Sequence, residues 1–314
     1  MGLNFGNLIG ALPGGIAQGL IWGFMALGVY ITFRLLDIAD LTVDGSFTTG
    51  GAVTVMLILS GVKPMAAILV AAIAGVLAGT VTGLLHTVFD IPAILSGILT
   101  QFALYSINLA IMGMSANKGL PVDKYRLFVT SRNIPASIVK SLLLILLVIG
   151  ILYWYFGTEH GSAMRATGSN PEMSKAQGIN INSMKVIGLA ISNGFVAMSG
   201  GLLSQYQGFA DINMGRGAIV IGLAAVIIGE VLGNAILGKR MNFALRLLFV
   251  AIGGIIYYLV IVVVLWMKLD SNYLKLLTAI VVAVFLAVPN MQSKMKNSFK
   301  RAGKRSEKNT KEAL

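Results

Sequence analysis

Cysteine is absent from the 314 residues, which excludes disulfides and thiolate metal sites. Charge is scarce: 11% of residues are Asp, Glu, Lys or Arg, against about 25% in a soluble domain. Acid is scarcer still, with 12 Asp and Glu against 24 Lys and Arg. The two histidines, His86 and His160, lie far apart and support neither a metal site nor a catalytic triad. The start, MGLNFGNLIG, has no basic stretch before its apolar run, so no cleaved signal peptide is expected. What remains is apolar: 56% of residues are hydrophobic and the mean hydropathy is +0.84. These values describe an all-α polytopic membrane protein, because a bilayer leaves helices as the ordinary way to satisfy a spanning backbone.

Nine apolar segments follow one another at 12–33, 46–59, 65–88, 92–113, 138–156, 186–203, 217–232, 244–266 and 273–288. They predict about nine transmembrane helices in a domain covering 1–290, with 291–314 as a basic tail. The second and seventh fall short of the ~20 residues a spanning helix needs. Short, glycine-flanked segments are where broken helices line a polar cavity.

The tail 291–314 carries eight Lys and Arg and two Glu, half of the net charge of +12. It reads as a solvated cytoplasmic tail that fixes orientation, or as a surface patch for anionic lipid. No aromatic residue but Phe299 interleaves those charges, so nucleic acid is not an expected partner. With the tail inside, nine spans place the N-terminus outside. Fifteen of the 24 basic residues then lie inside and nine outside, the expected sign. The outer loop 115–135 departs from it, with Lys118, Lys124, Arg126 and Arg132 facing only Asp123. Such a loop suits a docking partner, or else the span count is off by one.

One polar island, 159–182, interrupts the apolar pattern with EHGSAMRATGSNPEMSKAQGININ. Asn170 is placed to N-cap a short helix, with Pro171 at its first position and Glu172 in its first turn. Gly178 is placed to end it in the left-handed conformation, with Ile179 folding back over it. Two flanking spans would hold this punctuated helix at the membrane surface.

A second polar stretch, RLLDIADLTVDGSFTTGGA at 34–52, crowds Asp37, Asp40 and Asp44 between two apolar segments. Asp40 with Thr42, or Asp44 with Ser46, can cap the following helix. The functional alternative makes Asp40, Asp44 and Ser46 a cytoplasmic-side entrance to a pathway. Gly50 and Gly51 allow a neighbouring helix to approach closely.

In the fourth segment Gln101, Tyr105 and Asn108 fall at i, i+4 and i+7 and share one face. Polar side chains at membrane depth face protein or a water-filled cavity, so this stripe either bonds another helix or contacts a translocated solute. Asn193, and less strongly Gln205, Tyr206 and Gln207, read the same way. The run GNAILGKR at 233–240 nearly matches a phosphate-binding loop. Arg240 stands where a magnesium-binding hydroxyl is needed, and a membrane segment precedes it, so nucleotide binding is rejected.

Taken in order, these residues resemble the ABC-importer permeases of the branched-chain amino acid and ribose class. The island fits the coupling-loop pattern of that class at Arg165, Ala166, Asn170, Ala176, Gly178, Ile179 and Asn180. DLTVDGS at 40–46 looks like the Asp-Leu-Ser-Val-Gly-Ser stretch of sugar permeases, with Asp44 as an extra residue. NKGLPV at 117–122 is similar to a loop after the fourth segment, and Ser199, Gly200, Gly201, Gly208, Gly215, Gly217 and AAVIIG at 224–229 also fit. The resemblance covers roughly 40–229. Glu230 stands where the class usually has glycine, and 211–214 lacks the usual proline, departures that leave the substrate class open. LTVDGSF is similar to the variant linked to aromatic amino acid uptake, which implies tryptophan or tyrosine.

The resemblance implies the following division of labour. Two permease copies enclose one pathway, and separate ATPase subunits carry ATP and Mg. An extracytoplasmic binding protein delivers the solute. Arg165, Asn170, Pro171, Glu172, Met173, Lys175 and Gly178 form the coupling contact with the ATPase. Gln101, Tyr105, Asn108 and Asn193 line the pathway. No residue of this chain is expected to be catalytic, to ligate a metal or to hold a cofactor. The alternative is an ion-coupled secondary transporter or channel, in which Asp211 and Glu230 are the coupling carboxylates. A membrane enzyme lacks any nucleophile–base pair.

Overall fold

The computed structural model describes residues 5–267 and, beyond them, Leu276, Ala279, Ile280 and Ala283. The chain divides into two compact units, Met1–Lys268 and Leu269–Leu314, and the architecture below is that of the first. Apart from those four residues, the expected ninth segment 273–288 lies outside the described residues, as does the whole tail 291–314.

The described chain is mostly α-helical. Helix α1 is Phe5–Tyr30 and continues through a π-helical turn, Ile31–Leu35. There follow α2 Thr42–Leu59, α3 Pro64–Thr87, α4 Ala93–Ile111, a short strand β1 Asn117–Gly119, and α5 Ile134–Gly157. Two short helices, α6 Glu159–Ser169 and α7 Pro171–Ala176, occupy the polar island. Then come α8 Ile181–Gln207, strand β2 Phe209–Asp211, α9 Ala218–Leu237 and α10 Phe243–Trp266. Eight helices, all but α6 and α7, are long and apolar enough to cross a membrane. They match the first eight apolar segments of the sequence one for one.

Helix α8 runs through the centre and serves as a ruler. Without a hydrophobic drive between helices in lipid, close approach of small residues holds them together. Gly83, Gly79 and Gly75 of α3 lie against Val186, the Leu189 carbonyl and the Asn193 carbonyl in turn. Gly50 of α2 lies so close to α8 that a Cβ there would overlap the Ala197 carbonyl oxygen, as the Gly50–Gly51 pair led us to expect. On the other side Ser192 Oγ donates to Gly28 O at 2.8 Å and Ser199 Oγ to Ile21 O at 2.8 Å, pinning α1 along α8.

This ruler shows where α2 and α9, the second and seventh apolar segments, begin. Asp40, just before α2, meets Asn193, twelve residues into α8. At 1.5 Å per residue that is roughly 18 Å from the start of α8, about half of its length. Helix α2 therefore begins half-way through the bundle. Helix α9 begins at the same depth, because Gly217 and Ile219 at its start bond Asp44 in the first turn of α2. The chain reaches that point from β2, at the opposite end of α8 from α6 and α7, by folding back inward over 212–217. Both helices, 18 and 20 residues long, start inside the fold.

The end bearing β1 and β2 is closed by their antiparallel pairing, with Asn117 opposite Asp211 and Gly119 opposite Phe209. Buried Gln205 ties this end down: Phe128 N–H donates to its Oε1 at 3.0 Å, and its Nε2 donates to Pro64 O at 3.1 Å.

Candidate functional site

Where α2 and α9 start, a cavity of about 390 Å³ opens between α2, α4 and the segment that leads into α9. Helix α4 contributes Gln101, Phe102, Tyr105 and Asn108, so three of the four pathway residues marked in the sequence meet in one wall. Asp44, Gly45 and Thr48 come from α2, and Ile212 and Arg216 from the inward-folding segment. The cavity is open toward Phe102 and Tyr105, which are 71% and 45% exposed.

Asp44 carries the geometry of this site. Its Oδ2 accepts from Gly217 N–H at 2.8 Å and its Oδ1 from Ile219 N–H at 2.9 Å. The carboxylate thus caps α9 and sits at the positive end of that helix dipole. Gly215 N–H donates to Thr48 Oγ1 at 3.2 Å, holding the same segment one turn further along α2. Asn108 Nδ2 donates to Gly45 O at 3.4 Å, while its Oδ1 is buried without a partner. Arg216 forms no ion pair among the described residues. The site therefore offers one anion, one cation, amide donors and acceptors, and two aromatic rings.

The other marked residues lie elsewhere. Asn193 does not reach the cavity. It is fully buried, and its Nδ2 donates to Asp40 Oδ2 at 2.7 Å and to Leu189 O at 2.9 Å. Asp40 Oδ1 accepts from Thr42 N–H at 2.9 Å, so Asp40 closes a turn onto the first N–H of α2 from inside the fold. Thr42 Oγ1 lies 2.7 Å from Thr82 Oγ1, which donates to Thr100 Oγ1 at 2.9 Å. These contacts make a buried polar seam from α8 through α2 and α3 to α4. Ser46 is buried in α2 with its Oγ unpartnered. Of the three residues read as an entrance, Asp44 alone lines the cavity, and it does so at mid-depth.

At the opposite end of α8 from the strands, the island folds as its local residues dictate. Asn170 Oδ1 accepts from Met173 N–H at 3.0 Å and Pro171 begins α7. Gly178 has φ +81°, its N–H donates to Lys175 O at 3.0 Å, and Ile179 N–H donates to Ser174 O at 3.0 Å. That pair of bonds is a Schellman ending. Only Ser174 of α7 is buried, so Glu172, Met173 and Lys175 face outward.

Helix α6 was not read from the sequence. Its signals are Thr158 as N-cap, with Oγ1 accepting from Gly161 N–H at 3.4 Å, and buried positions at Gly161, Met164 and Thr167. Gly168 packs on the Leu35 carbonyl of the π turn, where any Cβ would overlap it. Arg165 turns the other way and lies 5.6 Å from the Phe243 ring. From the π turn, Arg34 Nε reaches Glu230 Oε1 at 2.8 Å, so α6, α1 and α9 are connected at this end. Asp211 is held in the strand pair, where Asn213 N–H donates to its Oδ1 at 2.8 Å.

Gly45, Thr48, Phe102, Ile212 and Arg216 are the cavity residues that the sequence does not mark as site residues. Arg216 had one signal, a lone cation between Gly215 and Gly217 at the edge of a short apolar segment.

Known proteins share this sequence pattern. Residues 11–289 match the family model described as branched-chain amino acid transport system / permease component. A tyrosine transport system permease protein of Clostridioides difficile (strain R20291) is 39% identical over 283 residues, 90% of this chain and 92% of the relative. The uncharacterized protein RP368 of Rickettsia prowazekii (strain Madrid E) is 33% identical over 276 residues, 87% and 95% of the two chains. The autoinducer 2 import system permease protein LsrC of Yersinia pseudotuberculosis serotype O:3 (strain YPIII) is 30% identical over 195 residues, 62% of this chain and 54% of the relative. No solved structure matches at a significant level.

Proposed function

The chain belongs to the branched-chain amino acid transport permease family, and from that premise we propose that it is the membrane subunit of an ATP-driven importer for an aromatic amino acid, tyrosine or tryptophan. It is a permease component and a multi-pass protein of the inner membrane.

The observation that carries the amino acid reading is the composition of the cavity. A free amino acid brings an ammonium, a carboxylate and a side chain. Asp44 supplies an anion for the first, Arg216 a planar cation for the second, and Tyr105 and Phe102 a flat apolar surface for a ring. The volume of about 390 Å³ falls within the ~300–1,000 Å³ usual for small-molecule sites. The name of the Clostridioides relative, a tyrosine transport system permease, agrees with this choice.

The open side of the cavity suits a second copy of the chain, the pathway running between the two. Separate ATPase subunits, holding ATP and Mg, dock on α7, with Asn170, Pro171 and Gly178 fixing its shape and Glu172, Met173 and Lys175 making the contact. Arg165 holds α6 against α10 from behind. An extracytoplasmic solute-binding protein docks at the strand end, where Lys118, Lys124 and Arg126 lie. ATP-driven closure of the ATPases shifts α6 and α7. The packing of Gly168 on the π turn and the Arg34–Glu230 pair carry that shift to α1 and α9. The two carboxylates of the ion-coupled alternative do not favour it: Glu230 is already paired with Arg34, and Asp211 is bonded within the strand turn.

The test is uptake into proteoliposomes carrying this permease with its ATPase and binding protein. ATP-dependent uptake of tyrosine or tryptophan is expected. Uptake confined to leucine or ribose would overturn the aromatic assignment, and uptake driven by an ion gradient without ATPase would overturn the coupling.

A further inference from the structure

We propose that a second cavity, between the end of α5 and the start of α10, binds an anionic phospholipid of the leaflet on the α6–α7 side, with Arg165 holding its phosphate. This site is separate from the solute cavity, and the proposal does not depend on the identity of the solute.

The cavity measures about 560 Å³ and is walled by Tyr153, Trp154 and Phe156 of α5, Thr158, Arg165 of α6 and Phe243 of α10. Arg165 is the one charged side chain among the described residues of its lining, and no carboxylate shares the space. Its guanidinium lies 5.6 Å from the Phe243 ring and forms no ion pair among the described residues. The ring contact draws on the charge of the guanidinium and not on its N–H groups, which stay available to another partner. Those N–H groups form a fork matched to a phosphate. At the rim, the Asn242 side chain does not cap α10, so the first-turn N–H groups of that helix add donors on the same side.

The surroundings favour a lipid over a free anion. Helix α5 has two clean faces. Ser141, Ile145, Val148, Leu152 and Phe156 are buried, while Val139, Leu143, Leu147 and Trp154 point outward along one stripe. The helix packs chiefly on α1, α6 and α10, none of which lines the solute cavity, so this stripe lies on a different part of the fold. The stripe ends at Tyr153, 55% exposed, and Trp154, 72% exposed, one turn before the helix stops. Tyrosine and tryptophan at the end of an apolar helix mark the depth of lipid headgroups. Acyl chains lying along Leu143 and Leu147 therefore bring a headgroup phosphate to Arg165. A soluble phosphate would gain the cation but none of the apolar contact.

Trp154 gives a direct readout. The full-length protein carrying Trp266→Phe retains Trp154 and buried Trp22. In mixed micelles, brominated phosphatidylglycerol is expected to quench Trp154 with about fivefold tighter apparent binding than brominated phosphatidylcholine, the preference given by one surface cation. Arg165→Gln is expected to abolish the preference and Arg165→Lys to retain part of it. Native mass spectrometry of the unsubstituted protein checks the same preference without any variant, as retained phosphatidylglycerol in excess over phosphatidylcholine. Equal quenching by the two lipids, an unchanged preference in Arg165→Gln, or absence of retained phosphatidylglycerol would overturn the proposal. So would displacement of the brominated lipid by millimolar inorganic phosphate, which would assign the site to a free anion. Trp154 shielded from both lipids once a partner ATPase is added would make the cavity a protein contact and overturn it as well.

Discussion

Asp44 and Ile219 are 175 residues apart in the chain, yet Ile219 N–H donates to Asp44 Oδ1 at 2.9 Å. Gly217 N–H reaches the other carboxylate oxygen at 2.8 Å. One side chain in the first turn of α2 thereby fixes the start of α9. The two helices begin at the same depth and run to opposite ends of the bundle, so the cavity exists because their starts are tied together. The extra acid in DLTVDGS is the residue that makes the tie.

Asp44→Ala removes both acceptors and leaves the first-turn N–H groups of α9 unpaired inside the fold. The expected loss is about 1–2 kcal/mol of stability, the upper range for a lost cap. Thermal unfolding in detergent measures it, and uptake should fall to background. Asp44→Asn keeps one acceptor and should recover most of the stability but little of the uptake. Full uptake by Asp44→Ala would show that the tie is not needed for transport.

A larger residue at Gly50 tests the packing that holds α2 on α8. Gly50→Val must displace the Ala197 carbonyl or separate the two helices. Overpacking of this kind costs about 1–3 kcal/mol, and here the obstacle is backbone, which cannot rotate away. The expected result is a clear drop in the unfolding temperature and reduced yield of folded protein. Gly150→Val, at a position with open space around it, is the control and should change little.

The local and the distant parts of the structure were legible to different degrees. Helix α7 could be read because every signal lies within nine residues: Asn170, Pro171, Glu172 and Gly178 each act on their own neighbours. The stripe Gln101–Tyr105–Asn108 could be read because helical spacing alone puts it on one face. Its partners could not, since nothing local connects Arg216 or Asp44 with α4. As a cap, Asp44 could be assigned only to its own helix, whereas the fold gives it to α9. Residue type and depth put Asn193 on the pathway, but a buried carboxylate at Asp40 takes its amide. Helix α6 was missed because Gly161 and Gly168, which weaken a helix signal, are there for close packing on Phe156 and Leu35.

Replacing Glu172 and Met173 with alanine tests α7 as the coupling contact. Neither side chain is buried, so stability should change by less than about 0.5 kcal/mol. Transport should fall while ATP hydrolysis by the associated ATPase loses its dependence on solute. Gly178→Ala gives a graded version: a Cβ at φ +81° costs about 1 kcal/mol and misplaces the Schellman ending without touching the outward face. Unchanged coupling in the double alanine variant would move the docking site elsewhere.

The cavity makes separable demands on two of its residues. Arg216 is assigned the carboxylate that every amino acid carries, whereas Tyr105 is assigned the ring that only some carry. Arg216→Gln should therefore weaken uptake of all amino acids alike, by about 10–100-fold for a lost charged hydrogen bond of ~1.5–3 kcal/mol. Tyr105→Ala should spare small amino acids and weaken tyrosine and tryptophan several-fold, since ring pairs contribute about 0.5–1.5 kcal/mol beyond the area they bury. Competition profiles in proteoliposomes distinguish the two patterns, because each variant serves as the other's control for assembly. Asn108→Ala should fall between them: Asn108 lines the cavity and its Nδ2 holds the Gly45 carbonyl, so its loss loosens the wall without removing a charge or a ring. If Gln101, Tyr105 and Asn108 replaced together leave both rate and profile unchanged, the stripe serves α4 packing and the solute passes elsewhere.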